Sequence, residues 1–254
     1  IVAVGGDGTF HEVVNGLMQA KSGSYGTKAD AVHVGLIGQG TGGDFRKTLG
    51  IEHRLDKYLD AIASGREQKL DVGRFSGGGK TNHHFVNILS AGMGGLVDRY
   101  VADASRMLGG KAAYFGASLK ALVNARLGNV SCTIERDGKT EEHRIKSFMI
   151  AICNGRFFGG GMKIAPEAEI SDGTFDIVAL GAQSKLAFAL YSRDIYSGAH
   201  MAREGTVHLR GQKITLSLAN DDAKSVYLLD VDGEPMGGLP VTVECLPAAL
   251  TLRA

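Results

Sequence analysis

The chain lacks any excess of charge. Its 28 lysines and arginines stand against 27 aspartates and glutamates over 254 residues, which leaves no basic footprint for nucleic acid and no acidic tail. Cysteine is scarce: Cys132, Cys153 and Cys245 are odd in number and far apart, a pattern of reduced thiols in a cytosolic protein rather than of a disulfide frame or zinc site. No apolar run reaches the roughly 20 residues that span a bilayer, and no charged flank with a cleavage site opens the chain. Any membrane partner is therefore met from the surface. The sequence also has no G-x-x-x-x-G-K-[ST] loop, no protein-kinase set of Lys, H-R-D and D-F-G, and no G-x-S-x-G elbow. Its eight histidines have no partners at metal-ligand spacing, and no chemistry is assigned to them.

Glycine is plentiful instead: 37 residues, about twice the usual share of roughly 7%, in short clusters between apolar runs. The first cluster follows the apolar run Ile1 to Val4 and reads Gly5-Gly6-Asp7-Gly8-Thr9. Glycines there let backbone N–H groups approach a phosphate, and a helix expected over Phe10 to Met18 points its positive end at the same place. Thr9 and Glu12 have capping-box spacing, and Phe10, Val13, Val14 and Leu17 form an apolar face. A tight strand-to-helix turn without a ligand is the plain alternative. The design repeats: Ala31 to Ile37 reads as a strand, followed by Gly38 to Arg46 with Gly40, Thr41, Gly42, Gly43 and Asp44. A third stretch, His53 to Ser64, places Leu55, Leu59 and Ile62 at helical spacing, with Gly65 as its C-terminal cap. Strand, loop, helix, repeated, predicts a parallel α/β sheet that binds ligands beyond its strand ends. The chain opens inside a strand without a methionine, so an upstream strand and helix are expected to precede it. Gly38, Gly40 and Gly43 also satisfy G-x-G-x-x-G, but the acidic residue at the right distance, Asp60, falls inside a helical pattern, which argues against a dehydrogenase.

Near residue 69 the pattern changes to short β-rich runs: Lys69 to Phe75, His83 to Ser90, Val130 to Glu135, Arg144 to Cys153, Phe175 to Leu180, Thr206 to Leu209, Lys213 to Leu218, Val226 to Val231 and Val241 to Cys245. Ile214, Leu216 and Leu218 alternate with polar residues, and Asp137-Gly138 signals a hairpin. These runs predict an antiparallel sandwich or barrel interrupted by helices over about 102–126 and 185–196. Residues 1–69 are thus expected to form one domain and 70–254 a second.

Asp7 and Asp44, each in a glycine loop at a strand end, would make a cleft suited to a magnesium-bound phosphate. Asp232 and Glu234 flank Gly233 after an apolar run, Asp71 sits at the domain junction, and Asp137 and Asp172 read as turn residues. Taken in order, Gly5 to Thr9, Gly40 to Phe45, Asn154-Gly155 ahead of Gly159-Gly160-Gly161-Met162, Asp172-Gly173 and Asp232-Gly233-Glu234 resemble the bacterial diacylglycerol kinase family of lipid kinases, related to sphingosine kinases. One departure is Gly43, where that family usually has Asn.

The resemblance implies an α/β domain of the NAD-kinase and phosphofructokinase kind that binds ATP, and a C-terminal β-sandwich that contributes the lipid side. Gly5, Gly6, Asp7, Gly8, Thr9, Gly40, Thr41, Gly42 and Asp44 would hold the nucleotide, with its Mg2+ near Asp7 and Asp44. Glu234 would be the base for the lipid hydroxyl, with Asp232 beside it and Asp71 near the cleft. A separate structural Mg2+ is implied around Asp172. The partner would be a lipid such as diacylglycerol, met by a cytoplasmic protein at the membrane surface, with a homodimer left open. An NAD kinase-like enzyme, or a nucleotide-binding regulatory module without turnover, are the rival readings. Three further features stay open. Asn87, interrupting the strand Val86 to Ile88, reaches the cleft or makes a core hydrogen bond. Asn154 to Met162, with Phe157 and Phe158, touches lipid or nucleotide or packs on its own sandwich. The helix over 102–126 carries Arg106, Lys111, Lys120 and Arg126 around a stripe of Leu108, Ala112, Phe115, Leu119 and Leu122, which is expected to be buried in its own domain rather than laid on a membrane.

Overall fold

The structure, a computed structural model, describes residues 1–254 except 24–29, 41, 65, 103–109, 183 and 220–222, and except the side chains of 98, 102, 110–115 and 190–192. Thr41, Gly65 and Leu108, and the side chains of Ala112 and Phe115, fall outside the described set. The chain opens with β1 (Val2–Gly5), α1 (Asp7–Ser22), β2 (His33–Gly38), α2 (Asp44–Leu49) and α3 (Leu55–Ala63). β1 and β2 run parallel, from Val2 opposite Gly35 to Gly5 opposite Gly38, so both glycine loops leave the same end of the sheet.

The remainder comprises β3 (Glu67–Gly77), β4 (Lys80–Phe85), β5 (Ile88–Gly92), α4 (Met93–Ala102), α5 (Gly110–Asn124), β6 (Gly128–Arg136), β7 (Lys139–Ser147), β8 (Met149–Cys153), β9 (Phe175–Leu180), α6 (Lys185–Ile195), a 3-10 turn (Ala199–Ala202), β10 (Thr206–Gly211), β11 (Lys213–Leu218), β12 (Leu228–Val231), β13 (Glu234–Gly238) and β14 (Val241–Arg253). A six-stranded sheet has the order β10-β9-β8-β5-β12-β13. The other sheet runs β1-β2-β14-β11-β6-β7, with β3 on β14 and β4 on β3. Alternate side chains of the two sheets interleave: Ile214 and Leu216 of β11 and Val241 and Val243 of β14 share one core with Leu89, Ile150, Ile152, Ile177 and Leu229. Each such side chain contributes about 1.5–3 kcal/mol of burial, which is what holds the sandwich closed.

β14 joins the two halves. Its first residues pair antiparallel with β11 and β3, and Thr251 to Arg253 pair parallel with β2. The sequence run that predicts this strand ends at Cys245, two residues before Pro247. The strand instead continues across a register shift between Leu246 and Leu250. Asp71 repairs the ladder there: its carboxylate accepts N–H bonds from Ala248 at 2.6 Å and from Gly173 at 2.7 Å. Residue 70, the expected start of the second domain, lies within β3. Asp71→Ala removes a carboxylate acceptor from the half-buried Gly173 N–H and the exposed Ala248 N–H and is expected to lower stability by about 2 kcal/mol in urea unfolding; an unchanged midpoint would show that the repair is dispensable.

Several local expectations differ from the structure. His83 to Ser90 divides into β4 and β5, and Arg144 to Cys153 into β7 and β8. In α3 the buried residue is Tyr58, while Leu55 and Leu59 are exposed. Among the described residues of the α5 stripe, Leu122 is partly buried against the cluster that holds Ile88, Phe148 and Met149, as expected, while Leu119 faces solvent; the small Ala117 and Ala121 pack on Leu96 and Val97 of α4, which lets the two helices approach closely. Among the described residues no helix is long and apolar enough to cross a membrane.

Candidate active site

Helix α1 begins at Asp7, two residues before the expected capping threonine, with Gly6 as its N-cap and no side-chain cap. Its first-turn N–H groups are thereby left facing the end of β1. Thr9 does not cap; it lies over Gly5, where a Cβ would meet its Oγ1 at 2.4 Å. The two glycine loops touch: a Cβ on Gly40 would sit 2.9 Å from Gly6 Cα.

Asp7 supplies to α2 the cap that Gly43 cannot. Its Oδ2 accepts the Asp44 N–H at 3.1 Å and its Oδ1 the Phe45 N–H at 3.4 Å. Asp44 in turn holds Lys47 Nζ at 2.7 Å and accepts the Gly160 N–H at 2.7 Å, which brings the Asn154 to Met162 loop onto this side of the cleft. Lys47 Nζ also donates to Gly42 C=O at 3.0 Å. Burial raises the Asp7 carboxyl above the ordinary Asp value; the Asp44 and Phe45 N–H bonds oppose this, and the Asp44 and Asp232 carboxylates add to it. Across Gly42, a Cβ would lie 3.3 Å from Asp7 Oδ2 and 4.0 Å from Asp44 Oδ2. No three His, Cys, Asp or Glu side chains converge as a metal cage among the described residues. A Mg2+ here would take Asp7 and Asp44 together with waters and phosphate oxygens.

Gly43 has φ 57° and ψ 41°, a left-handed conformation that Gly and Asn adopt most readily. Its backbone alone accounts for a glycine where the resembling family has Asn. Gly43→Asn should therefore unfold within about 1 kcal/mol of the natural chain and Gly43→Val at least about 2 kcal/mol below it; equal penalties in a denaturant titration would remove the backbone explanation.

The other wall comes from the far end of the chain. Asp232, at φ 53°, and Gly233, at φ 90°, turn β12 into β13. The Asp232 carboxylate is fully engaged, accepting N–H bonds from Val86 at 2.9 Å, Asn87 at 2.9 Å and Ile88 at 3.0 Å, and meeting His11 Nδ1 at 2.9 Å. Burial lowers the affinity of His11 for its proton, but the Asp232 bond and charge outweigh it and the imidazole is raised overall. His11 Nε2 lies 3.3 Å from His83 Nε2, and His83 is lowered, first by burial and then by the His11 charge. Glu234, by contrast, is exposed, and its Oε1 would lie 3.0 Å from a Cβ on Gly8. It stands over the first turn of α1.

Gly5 to Thr9, Gly40, Gly42, Asp44, Asp232 and Glu234 therefore meet around one cleft. Asn87 joins them through its N–H on Asp232 and its Nδ2 on Phe157 C=O at 2.9 Å. Asn154 is fully buried and ties Asp71 C=O to Val86 C=O, each at 2.8 Å. Asp71 faces the β14 shift, as described. Asp172 accepts from Thr174 N–H and Oγ1, both at 2.9 Å, and pairs with Arg210, so a guanidinium stands against that carboxylate. Sequence reasoning missed His11 and Lys47. The available signal was helical spacing: His11 lies one turn after Asp7 on α1, and Lys47 three residues after Asp44 on α2.

The family model described as the diacylglycerol kinase catalytic domain matches residues 1–75, and the model described as the YegS C-terminal NAD kinase beta sandwich-like domain matches residues 87–254. A diacylglycerol kinase of Bacillus subtilis (strain 168) is 28% identical over 241 residues, 94% of this chain and 72% of that protein. One from Staphylococcus aureus (strain Newman) is also 28% identical, over 94% of this chain and 69% of its own length. A crystal structure of a putative diacylglycerol kinase from Bacillus anthracis str. Sterne superposes with a TM-score of 0.71 at 23% identity, covering 100% of this chain and 77% of that one, and so shares the fold.

Proposed function

The chain belongs to the bacterial diacylglycerol kinase family, and from that premise we propose that it transfers the γ-phosphoryl group of ATP to a lipid hydroxyl such as that of diacylglycerol. The observation that carries the reading is Glu234, an exposed carboxylate held over Gly8 at the N-terminal turn of α1. An acceptor hydroxyl beside Glu234 lies next to whatever phosphate that turn holds. Phosphoryl transfer asks mainly for positioning and charge neutralisation. The glycine loops and the first-turn N–H groups of α1 bind the phosphates. Asp7 and Asp44 would hold a Mg2+, which when bound would supply positive charge to the phosphate oxygens, and Lys47 adds a cation to the same loop. Glu234 orients the lipid hydroxyl and takes its proton. Asp232, with no acceptor capacity left facing the cleft, positions the turn that presents Glu234. In this division residues 1–69 carry the nucleotide and 70–254 the lipid side.

The test incubates the protein with γ-labelled ATP, Mg2+ and a panel of diacylglycerol, long-chain base, phosphatidylglycerol and NAD. Label is expected in a lipid. Label in NAD alone, or ATP binding by calorimetry with no acceptor labelled, would refute the proposal in favour of a small-molecule kinase or a module without turnover.

A further inference from the structure

Three carboxylates, Asp71, Asp172 and Asp176, meet around the turn that leads into β9. The family resemblance implies a structural Mg2+ at Asp172, but each carboxylate oxygen there already has a protein partner. Asp172 Oδ1 accepts the Thr174 N–H and Oγ1, both at 2.9 Å, and its Oδ2 takes Arg210 Nη2. The same Nη2 donates to Thr174 Oγ1 at 2.8 Å, and Arg210 Nε stands 3.7 Å from Asp176 Oδ2. Asp176 Oδ1 bonds His208 Nε2; that bond raises the imidazole above the ordinary histidine value, against the effect of burial. Asp71 spends its two oxygens on the Gly173 and Ala248 N–H groups. Strand register delivers the guanidinium. Val207 and Leu209 of β10 turn into the sandwich, so His208 and Arg210 share its other face, and Arg210 lies directly opposite Asp176 of β9. A Mg2+ binds carboxylate oxygen at about 2.0–2.1 Å and keeps a shell of waters. At Asp172 Oδ2 it would have to take the place of the guanidinium, beside a second cationic side chain. The residues present do not fit the ion.

We propose that the Arg210 guanidinium supplies the positive charge at Asp172 in place of the implied Mg2+, so that this turn is held without a divalent ion. Arg210 ties the Asp172 turn to β10, and the next residue, Gly173, gives its N–H to Asp71. Asp71 in turn holds Ala248 at the register shift, beyond which β14 goes on to pair with β2. One side chain of the β-sandwich thus steadies the strand that joins the two halves. The Mg2+ proposed beside Asp7 and Asp44 is untouched by this, and the inference stands whether or not a lipid is the acceptor.

Two measurements on the intact protein, both without nucleotide, test it. Crystals soaked in Mn2+, which shares the oxygen ligands of Mg2+ and scatters anomalously, should show no peak within about 2.5 Å of the Asp172 carboxylate, with the guanidinium in place. A peak there would overturn the proposal. Thermal unfolding in EDTA gives the second readout. Arg210→Gln, which removes the charge, should lower the midpoint by roughly 4 °C, and Arg210→Lys, which keeps it, by less than about 2 °C. Equal losses in the two variants would show that charge is not what the turn needs, and no loss in either would show that it needs no cation; each result would overturn the proposal. So would a natural protein whose midpoint falls when EDTA replaces Mg2+, with that fall abolished by Asp172→Asn. A fall that Asp172→Asn leaves unchanged belongs to another metal site and agrees with the proposal. Neither readout involves phosphoryl transfer, so failure of the proposed activity and failure of this inference are told apart.

Discussion

Glu234→Gln is expected to lower kcat for lipid phosphorylation by about a thousandfold while ATP affinity changes less than about twofold, a general base being worth roughly 10²–10⁴ in rate. The substitution keeps shape and removes only the charge. Because Glu234 is exposed, stability should not move, so the loss can be read as chemistry rather than as unfolding. ATP affinity should hold because in the proposed site the phosphates would rest on α1 and the glycine loops, which Glu234 overlooks without supporting. Steady-state kinetics with calorimetry for ATP checks both halves; a kcat within about tenfold of the natural protein would remove Glu234 from the base role.

The neighbouring acid should behave in the opposite way. Asp232→Asn places an NH2 group against donors that now find a carboxylate, whichever way the amide turns. Breaking one side of a buried, hydrogen-bonded charge pair costs about 3–5 kcal/mol, so this variant should lose most of its stability margin before its activity is considered. The pH dependence supplies a second readout. His11 is raised in the folded chain, so the stabilisation that it contributes is fully present below its unfolded value and is lost as pH rises through the folded one. The stability gap between the natural protein and Asp232→Asn should therefore narrow on going from mildly acidic to alkaline pH. In the variant, burial acts on His11 without the compensating carboxylate, and its titration, followed by NMR, should move below that of an ordinary histidine. A gap that widened with pH, or an unmoved His11 titration, would show that the pair is not the anchor described.

How much of this was legible follows from what each feature needs. The glycine loops could be read because their signal is local, an apolar run followed directly by clustered glycines; that Gly40 must let Gly6 approach could not. Parallel pairing of β1 and β2 followed from strand-helix-strand order alone. β14 could not be read in full, since its continuation past Pro247 depends on a carboxylate 177 positions away on β3. His11 was passed over for the same reason, its partner lying 221 positions along the chain. The expected capping box at Thr9 failed because the close turn of Gly5 takes the Thr9 side chain first. In α5 Leu122 packs as expected and Leu119 does not: Ala117 and Ala121 take the contact with Leu96 and Val97, because small residues allow closer helix packing. The glycine at position 43, a departure from the pattern that it resembles, is accounted for once its left-handed backbone is seen.

The central claim is that both ends of the chain build one transfer site, with phosphate at the first turn of α1 and the acceptor at Glu234. A crystal structure of the protein with a non-hydrolysable ATP analogue, Mg2+ and a short-chain diacylglycerol tests it most directly. The account predicts the γ-phosphate against the N–H groups of Gly6 to Thr9, the metal between Asp7 and Asp44, and the lipid hydroxyl within about 2.6–3.2 Å of the Glu234 carboxylate. A nucleotide bound away from these loops, or a lipid hydroxyl out of reach of Glu234, would contradict it.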